Sequence, residues 1–307
     1  MTAPTLARRL DWEDIDPAHV RELIRLARDE DLSGAGLARR PESPTDVTTA
    51  TFPPARQDGQ ATLAARQPLV VCGLPLVPLI LETYGGGVFE PRLQDGDTAE
   101  PGDCLGHIGG PPGYLLAAER VLLNFLQHLS GIATATAAYV RELGDSPTRL
   151  LDTRKTTPGY RTLEKYAVAR GGGWNHRIGL WDRVLIKDNH LGAFDAQHGD
   201  ALRDAVQLAR SRNPGTAIEV EIDHMEQIHP ALEAGPDCLL LDNFTPAEIQ
   251  QALQLVDGRC ATEASGGITL QNLGGYARTG LDFISTGAPV HQSTWMDIGL
   301  DWHGPTP

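Results

Sequence analysis

The chain has little positive charge for its size. Its 307 residues carry 26 Lys and Arg against 40 Asp and Glu, which gives a formal net charge of −14. Non-specific binding to nucleic acid or to an anionic membrane needs a positive surface, so this balance argues against both kinds of partner. Lysine is the scarcest cation: Lys155, Lys165 and Lys187 are the only three, and they lie within 33 residues.

Long apolar runs are missing as well. The longest, residues 69–81, is broken by Gly73, Pro75 and Pro78, so we do not expect a membrane span. Residues 1–10 lack the apolar core that a signal peptide needs, and we therefore expect a cytoplasmic protein.

Common marks of metal, redox and nucleophilic chemistry are also absent from the sequence. The four cysteines, Cys72, Cys104, Cys238 and Cys260, show no Cys-x-x-Cys pair and no metal-ligand spacing, which favours free thiols over disulfides. No nucleophile motif is visible. No G-x-G-x-x-G fingerprint follows the first predicted strand after residue 148, which weakens a dinucleotide-binding interpretation.

The positive charge that is present is concentrated in one segment. Residues 149–187 contain nine Lys or Arg and three acids, a balance of +6 in 39 residues. A salt-bridged surface helix would account for Lys165 and Arg170, and we expect Lys165 to lie at the surface. It would not account for Lys187, which sits in the apolar segment RVLIKDNH. A basic pocket in an acidic protein indicates a small, highly anionic ligand.

The first half of the chain predicts a mixed α/β region. Asp16 and Pro17 are an N-cap and a first helical residue, which predicts a helix over 17–30. Residues 33–58 are rich in Gly, Pro, Ser and Thr and indicate a loop. Short apolar runs between 60 and 110 are separated by turn signals, which predicts strands. A long apolar face predicts a helix over 115–143.

The second half repeats one pattern. Short apolar strands are predicted near residues 150, 185, 220, 240, 263 and 284. Helices are predicted between them at 162–170, 200–212, 224–234, 246–256 and 270–279. Strands that alternate with helices are typical of βαβ units and a parallel sheet, and six such units favour a barrel over an open sheet.

Polar residues follow almost every one of these strands. They are Thr153, Arg154 and Lys155 after the first strand, Lys187 after the second, Glu219 and Glu221 on the third, Asp242 on the fourth, Glu263 and Ser265-Gly266-Gly267 on the fifth, and Gly287 after the last. The carboxyl ends of parallel barrel strands open onto one face, so we expect one cavity with a cationic side and a carboxylate side. Such carboxylates suit Mg²⁺ or sugar hydroxyls, and glycine-rich turns that lead into helices suit phosphate.

Each of these features has a simpler explanation when taken alone. The SGG sequence is also common in a tight turn, Glu221 would serve equally as an interior ion-pair partner, and His176 would serve to pack a loop. His190 and His291 are expected to be structural. The ordered occurrence of all these groups at successive strand ends is what the simpler explanations fail to account for.

Several blocks together resemble one family. They are DTRKTTPGYR, YAVARGGGWNHRIGLWDRVLIKDNH, EVEI, LLLDNF, EASGGIT, the helix AERVLLNFLQHLSGIAT at 118–134, and ARDEDL with DVTT near the start. In this order they are similar to quinolinate phosphoribosyltransferase, over nearly the whole chain. The resemblance implies an N-terminal open-faced α/β sandwich domain (1–117 with 295–307) and an incomplete α/β barrel of about six strands (118–294), the type II phosphoribosyltransferase fold.

The resemblance also implies an activity. Quinolinate and 5-phosphoribosyl-1-pyrophosphate, with Mg²⁺, would give nicotinate mononucleotide, pyrophosphate and CO₂ in de novo NAD biosynthesis. The assembly would be a homodimer or a hexamer built as a trimer of dimers. The active site would be shared across the dimer interface.

Residue roles follow from the matched positions. Quinolinate and part of the donor would be bound by Thr153, Arg154, Lys155, His176, Arg177 and Lys187, with Arg120 reaching the neighbouring subunit's site. Glu221 and Asp242 would engage the ribose hydroxyls and Mg²⁺, directly or through water or substrate; with Lys155 and Lys187 they form the expected catalytic set. The 5-phosphate would lie at Ser265, Gly266, Gly267 and Gly287.

The chain departs from the family pattern at two places. Thr45 stands in SPTDVTT where a glycine is expected, after an insertion at 33–44, and this affects the N-terminal loop rather than the chemistry. Pro289, Val290 and Gln292 change the run after Gly287.

Three other functions remain open from the sequence. They are a paralogous phosphoribosyltransferase with another acceptor, such as the homologues associated with molybdenum transport operons, a non-catalytic anion-binding barrel, and nucleic-acid binding through 149–187. The complete basic set favours a dicarboxylate acceptor. The retained carboxylates disfavour a simple binder, and the acidic remainder disfavours nucleic acid.

Overall fold

The computed structural model describes residues 6–52 and 57–303. Residues 1–5, 53–56 and 304–307 are not described, so parts of the expected segments 1–10, 33–58 and 295–307 lie outside the described residues. No helix in the described ranges has both the length and the apolar character needed to cross a bilayer.

The helices and strands alternate through the second half of the chain, as predicted. The helices are α1 (Pro17–Ser33), α2 (Leu76–Thr83), α3 (Pro112–Leu143), α4 (Arg161–Arg170), α5 (Asp188–Ala193), α6 (Gly199–Arg212), α7 (Ile228–Glu233), α8 (Pro246–Val256), α9 (Leu273–Ala277) and α10 (Ala288–His291). The strands are β1 (Gly59–Ala65), β2 (Leu69–Val70), β3 (Val88–Pro91), β4 (Thr98–Ala99), β5 (Cys104–Gly110), β6 (Arg149–Leu151), β7 (Val184–Ile186), β8 (Ile218–Ile222), β9 (Cys238–Asp242), β10 (Ala261–Ser265), β11 (Phe283–Ser285) and β12 (Ile298–His303).

The described residues form two compact units. The first takes in residues 6–9, Thr136–Arg161 and Gly172–Gln292, and the second takes in residues 10–135, Thr162–Gly171 and 293–303. These limits differ from the predicted domain limits of 1–117 with 295–307 and 118–294. The difference arises because α3 contributes to both units and because α4 belongs almost wholly to the second.

The second unit is built on an antiparallel sheet in the order β12-β1-β5-β3. Strand β12 pairs with β1 from Gln60 with His303 to Ala65 with Ile298, which brings the C-terminal segment into this unit. The apolar side chains of α2 are buried in the unit. Helix α2 lies within the region for which only strands were predicted, because its eight residues are too few to show a helical period.

Lys165 is not at the surface as predicted. Its side chain is 0% exposed, within a stretch of α4 from Leu163 to Ala169 that is buried throughout. Glu164 beside it is equally buried and bonds to His128 at 2.9 Å. The prediction was wrong because a polar helix sequence was taken to have a solvent face, whereas this part of α4 is enclosed on all sides.

The first unit is built on a parallel sheet in the order β6-β11-β10-β9-β8-β7. Among the described residues no pairing joins β6 to β7, so the barrel is open between these edge strands. Alternate strand residues such as Val220, Leu239 and Ile284 belong to the apolar core that also contains residues of the helices. The alternating partners of these residues therefore face the barrel interior.

The interior has an apolar base. Ala7 packs with Leu151, Cys238 and Phe283 in a buried cluster. The segment that carries Ala7 is held by a bridge between Arg8 and Asn175, in which Asn175 N–H donates to the Arg8 carbonyl at 2.7 Å. All four cysteines are free, as predicted.

Asp95 fixes the start of α2 within the second unit. Its carboxylate accepts from the N–H groups of Gly73 at 2.8 Å and Leu74 at 3.0 Å, and from the Tyr166 hydroxyl of α4 at 2.8 Å. Gly73 has φ +106°, a left-handed conformation that suits glycine. One carboxylate therefore joins the turn before α2 to α4.

We expect Asp95→Ala to lower the free energy of unfolding by about 1–2 kcal/mol, because it removes a cap-like acceptor from two partly buried N–H groups. Chemical denaturation measures the loss. The matched control is Asp97→Ala, since the one side-chain bond that Asp97 makes among the described residues is from the exposed Gln94 N–H at 2.8 Å. Equal losses in the two variants would contradict the role given to Asp95.

Candidate active site

The carboxyl ends of the parallel strands bring the predicted residues to one edge of the first unit. Ser265 of β10 is the Cα partner of Asp242 on β9, and Ser285 of β11 is the partner of Leu151 on β6. Thr153, Arg154 and Lys155 follow β6, and Lys187 follows β7 directly. The prediction that residues distant in sequence share one edge of the barrel is therefore confirmed.

Lys187 and Glu221 form an ion pair at this edge. The Lys187 ammonium bonds to Glu221 Oε2, and Glu221 Oε1 accepts from Asp188 N–H at 3.4 Å. The lysine side chain is 42% exposed and the glutamate only 5%. His190 Nδ1 accepts from the Lys187 N–H at 3.0 Å, which supports the structural role predicted for it. Lys187 thus keeps exposed surface although its counterion is buried.

The carboxylates at this edge repel one another. Burial and then the Glu221 charge raise the pKa of Asp242, while Lys187 and Lys155 act in the opposite direction. Burial, Glu221 and Asp188 likewise raise the pKa of Asp223. A cation, or a ligand that brings one, would relieve this repulsion.

A cavity of about 210 Å³ lies beside these carboxylates. It is lined by the four residues predicted to bind phosphate, Ser265, Gly266, Gly267 and Gly287, and also by Thr153, Lys155, Ile268, Thr269, Ser285, Thr286, Ala288, His291 and Gln292. Larger cavities of about 1240 and 780 Å³ are lined by residues of the second unit. We assign the site by its chemistry rather than by volume.

Two glycines of this cavity leave no room for a side chain. Gly266 has φ +91°, and a Cβ there would lie 2.2 Å from Asn243 Oδ1. A Cβ at Gly287 would lie 2.9 Å from the His291 ring and 3.1 Å from Thr153 Oγ1. Pro289 occupies the first turn of α10, a position where proline is favoured, so this departure from the family pattern leaves Gly287 in place.

Guanidinium groups crowd the other side of the edge. Burial and then the Arg154 charge lower the pKa of Arg177, and Arg183 adds to the effect. Arg154 Nε is buried and has no hydrogen-bond partner among the described residues. Cations that repel one another, one of them with an unused donor, indicate a site for an anion.

The loop that carries His176 and Arg177 is fixed by Asp152. The Asp152 carboxylate accepts from Asn175 Nδ2 and from the His176 N–H, each at 2.8 Å. Arg177 N–H donates to His176 Nδ1 at 2.8 Å, and Arg177 Nη1 donates to the Arg183 carbonyl at 3.2 Å. Asp152 follows β6 directly, but its role in ordering this loop could not be predicted from sequence.

A buried ionic cluster lies below this loop. His176 Nε2 is 3.2 Å from Glu219 Oε2 and 3.5 Å from Glu263 Oε1, and Arg183 Nη1 bonds to Glu219 Oε2 at 2.7 Å. Burial would lower the pKa of His176, but Glu263 and Glu219 outweigh it and raise the pKa to about 9. The hydrogen bond from the Arg177 N–H to His176 Nδ1 opposes this rise in pKa, because it forms only when Nδ1 carries no proton.

Glu263 is the second carboxyl of the cluster. Burial and the Glu219 charge raise the pKa of Glu263. Glu219 and Glu263 were noted at strand ends but were given no role in the predicted site, and Arg183 was not predicted as a site residue. The sequence did contain a signal for Glu219: the two glutamates of EVEI alternate, so both face the same side of the strand.

Arg120 was also predicted as a site residue. It is an exposed residue of α3 and belongs to the second unit. Its predicted part in the site therefore stays a prediction.

We expect Asp242→Asn to raise Tm by about 1–3 °C at pH 7.5, because the folded protein carries an ionised carboxylate that it disfavours. The stability that a carboxyl with a raised folded pKa contributes is fully present below its unfolded pKa and is lost as the pH rises through the folded pKa. The difference from wild type should therefore vanish as the pH falls to about 4. Thermal melts across this range measure it.

The control for this prediction is Asp145→Asn, a change of an exposed carboxylate on the same unit. It should leave Tm unchanged at both pH values. A lower Tm for Asp242→Asn at pH 7.5 would contradict the inferred repulsion.

Family comparisons agree with this geometry. The models for the N-terminal and C-terminal domains of quinolinate phosphoribosyl transferase match residues 46–130 and 132–301. The nicotinate-nucleotide pyrophosphorylase [carboxylating] of Mycobacterium leprae is 40% identical over 287 residues, covering 92% of this chain and 96% of that protein. A probable enzyme of the same name from Bacillus subtilis is 44% identical over 208 residues, covering 68% and 71%.

Solved structures lead to the same assignment. The nicotinate-nucleotide pyrophosphorylase of Francisella tularensis has a TM-score of 0.86 at 31% identity and covers 96% of this chain and 100% of its own. That of Ehrlichia chaffeensis has a TM-score of 0.83 at 34% identity and covers 94% and 99%. The predicted fold class, a sheet domain with an incomplete α/β barrel, is confirmed, and the chain belongs to the quinolinate phosphoribosyltransferase family.

Proposed function

We propose that this protein transfers the phosphoribosyl group of 5-phosphoribosyl-1-pyrophosphate to quinolinate with decarboxylation, giving nicotinate mononucleotide, pyrophosphate and CO₂ for NAD biosynthesis. The observation that carries the proposal is one strand edge that combines crowded guanidinium groups, a pair of carboxylates and a small glycine-lined cavity. Each of these three parts matches a part of the two substrates.

The glycine-lined cavity suits the 5-phosphate of the donor. Its volume of about 210 Å³ is small, and Gly266 and Gly287 let the backbone approach a ligand closely. Lys155 lines the same cavity and supplies a compact positive charge. The donor phosphate would therefore lie between the ends of β10 and β11.

The guanidinium side suits quinolinate, which is a dicarboxylate. Arg154 and Arg177 offer planar forks that can each bind a carboxylate through two parallel bonds. The repulsion that lowers the pKa of Arg177 would be relieved by an anion placed between them. Nicotinate has only one carboxylate and would leave part of this charge unbalanced.

The carboxylate pair fits Mg²⁺ by its donor atoms. Glu221 and Asp242 provide oxygen ligands on adjacent strands, and the charge of Glu221 raises the pKa of Asp242. We propose that these two residues hold Mg²⁺, directly or through water or the donor. When bound, Mg²⁺ would neutralise the charge of the departing pyrophosphate.

The chain's own residues then account for the chemistry. The basic pocket holds quinolinate with its ring nitrogen towards the ribosyl carbon. Binding therefore removes the entropic cost of bringing the two reactants together in the transition state. As the carbon–pyrophosphate bond breaks, positive charge develops on the ribosyl group, and the Glu221 and Asp242 carboxylates favour it. The new pyridinium accepts the electron pair of the breaking C2–carboxylate bond, CO₂ leaves, and C2 takes up one proton.

The assembly and location belong to the same proposal. Arg120 is exposed on α3, where its guanidinium is open to a second copy of the chain. We propose a homodimer, or a hexamer of three dimers, in which Arg120 reaches the partner's quinolinate pocket. The four free thiols are typical of a reducing compartment, and we propose a cytoplasmic location.

The function is tested by direct turnover. Purified protein mixed with quinolinate, the phosphoribosyl donor and Mg²⁺ should release nicotinate mononucleotide and CO₂ in equal amounts, followed by chromatography and by ¹⁴CO₂ from carboxyl-labelled quinolinate. Replacing quinolinate with nicotinate should give no product, because one carboxylate is missing. A folded protein that binds the donor but makes no product from quinolinate would refute the proposal.

The shared site is tested by mixing two inactive variants. Arg120→Ala and Lys155→Ala homodimers should each lose most activity, by about 100-fold or more, since each lacks a substrate contact. Mixed dimers contain one intact site if Arg120 acts across the interface, so about a quarter of wild-type activity should return on random exchange. Each variant mixed with itself is the control, and an absence of recovery despite proven exchange would count against a shared site.

A further inference from the structure

The interior of the first unit holds four buried ionisable side chains. Only one of them, His176, has a predicted contact with a substrate. His176, Arg183, Glu219 and Glu263 have exposures between 0 and 7%. Burying charged groups costs free energy unless they are paired, so we looked for a function that would account for the cluster. Glu219 is the register partner of Cys238 and Glu263 is that of Phe283, so the two glutamates lie beside the apolar cluster around Ala7.

Arg183 is the residue that connects the parts of this cluster. Its Nη1 donates to Glu219 Oε2 at 2.7 Å and lies 3.4 Å from His176 Nε2, and its Nη2 donates to the Leu6 carbonyl. Its own carbonyl accepts from Arg177 Nη1 at 3.2 Å. Arg183 therefore bonds to the N-terminal segment, to β8 and to Arg177, the residue proposed to bind quinolinate.

Both ring nitrogens of His176 are engaged within the protein. Nε2 faces Glu219 and Glu263, and Nδ1 accepts from the Arg177 N–H. The ring therefore links the buried carboxylates to the backbone of Arg177. With the bond from Arg177 Nη1 to the Arg183 carbonyl, the main chain and the side chain of Arg177 are both fixed from below.

The cluster has its cation already. One ligand atom from each of His176, Glu219 and Glu263 lies within 4.8 Å of the others, a spacing that suits a metal ion. The Arg183 guanidinium, however, contacts both Glu219 Oε2 and His176 Nε2. Its Nη1 donates to Glu219 Oε2, and the positive charge of the guanidinium takes the part that a metal would have.

We infer that Arg183 and Glu219 are positioning residues for the quinolinate pocket. They do not touch the substrate, and they act through His176 and Arg177, whose placement they determine. The inference rests on the proposed function, since it concerns how the same site recognises its dicarboxylate. It goes further in assigning substrate specificity to a salt bridge buried below the site.

Steady-state kinetics of Arg183→Lys and Glu219→Gln test the inference. Arg183→Lys keeps the charge but loses the fork, and Glu219→Gln keeps the shape but loses the charge. Each should raise KM for quinolinate by about tenfold or more, because a displaced Arg177 loses a charge-assisted contact. KM for the phosphoribosyl donor should stay within about twofold, because its cavity lies at β10 and β11.

The matched control is the pair of Arg210 and Asp237 in the same unit. Arg210 Nη2 bonds to Asp237 Oδ2 at 2.7 Å and to the Gly235 carbonyl at 2.9 Å, so it resembles Arg183 in its partners. Asp237 precedes β9, at the opposite end of the strand from the site. Arg210→Lys should therefore lower stability without changing either KM.

The outcomes separate positioning from a merely structural role. A structural role would lower kcat through loss of folded enzyme, leave both KM values unchanged and match Arg210→Lys; that result would overturn the inference. If either variant fails to fold, Glu219→Asp, which keeps the charge and withdraws it by one methylene, should show the same rise in quinolinate KM alone. An inactive wild type would overturn the proposed function and the inference together, whereas an active wild type with unchanged variant KM values overturns the inference alone.

Discussion

Repulsion between like charges is the constraint on which the site of this protein depends. Arg154, Arg177 and Arg183 lie close enough for the first and the third to depress the pKa of the second. Glu221 acts in the same way on Asp242. The fold holds these groups in place by burying counterions such as Glu219 and by anchoring the loop to Asp152. Ligands of the opposite charge would relieve both repulsions.

Much of the fold could be predicted because the barrel repeats one simple pattern. The strands near 150, 185, 220, 240, 263 and 284 are present, and α6 and α8 lie within one residue of their predicted ends. A clear helical period and clear N-caps made this possible. Pro17 of α1 and Pro246 of α8 each follow a residue whose side chain caps the helix. The predicted helix over 224–234 instead opens as a 3-10 turn at Met225–Gln227. Helix α2 was missed because it is short and apolar on most sides.

The site could be predicted at the level of residues at strand ends, and not at the level of their support. Lys187, Glu221 and Asp242 follow from position alone, since parallel strands present their carboxyl ends together. The surface position predicted for Lys165 was wrong because nothing in TLEKYAVARG indicates that the helix is buried. The bonds of Arg183 depend on a carbonyl 177 residues away in sequence, at Leu6, and no local pattern reports such a partner. Of the three lysines, Lys155 and Lys187 therefore lie beyond strand ends of the barrel, and Lys165 lies in a core.

The segment at residues 6–9 has a consequence for the order in which the chain can fold. It completes the base of the barrel with Ala7 and the bridge from Arg8 to Asn175, yet the rest of the first unit begins only at Thr136. A ribosome that has made residues 6–9 must still synthesise the whole of 10–135 before these contacts have a partner. Ala7 gains its last cluster partner only when Phe283 has been made, an arrangement of high contact order that favours slow, post-translational completion.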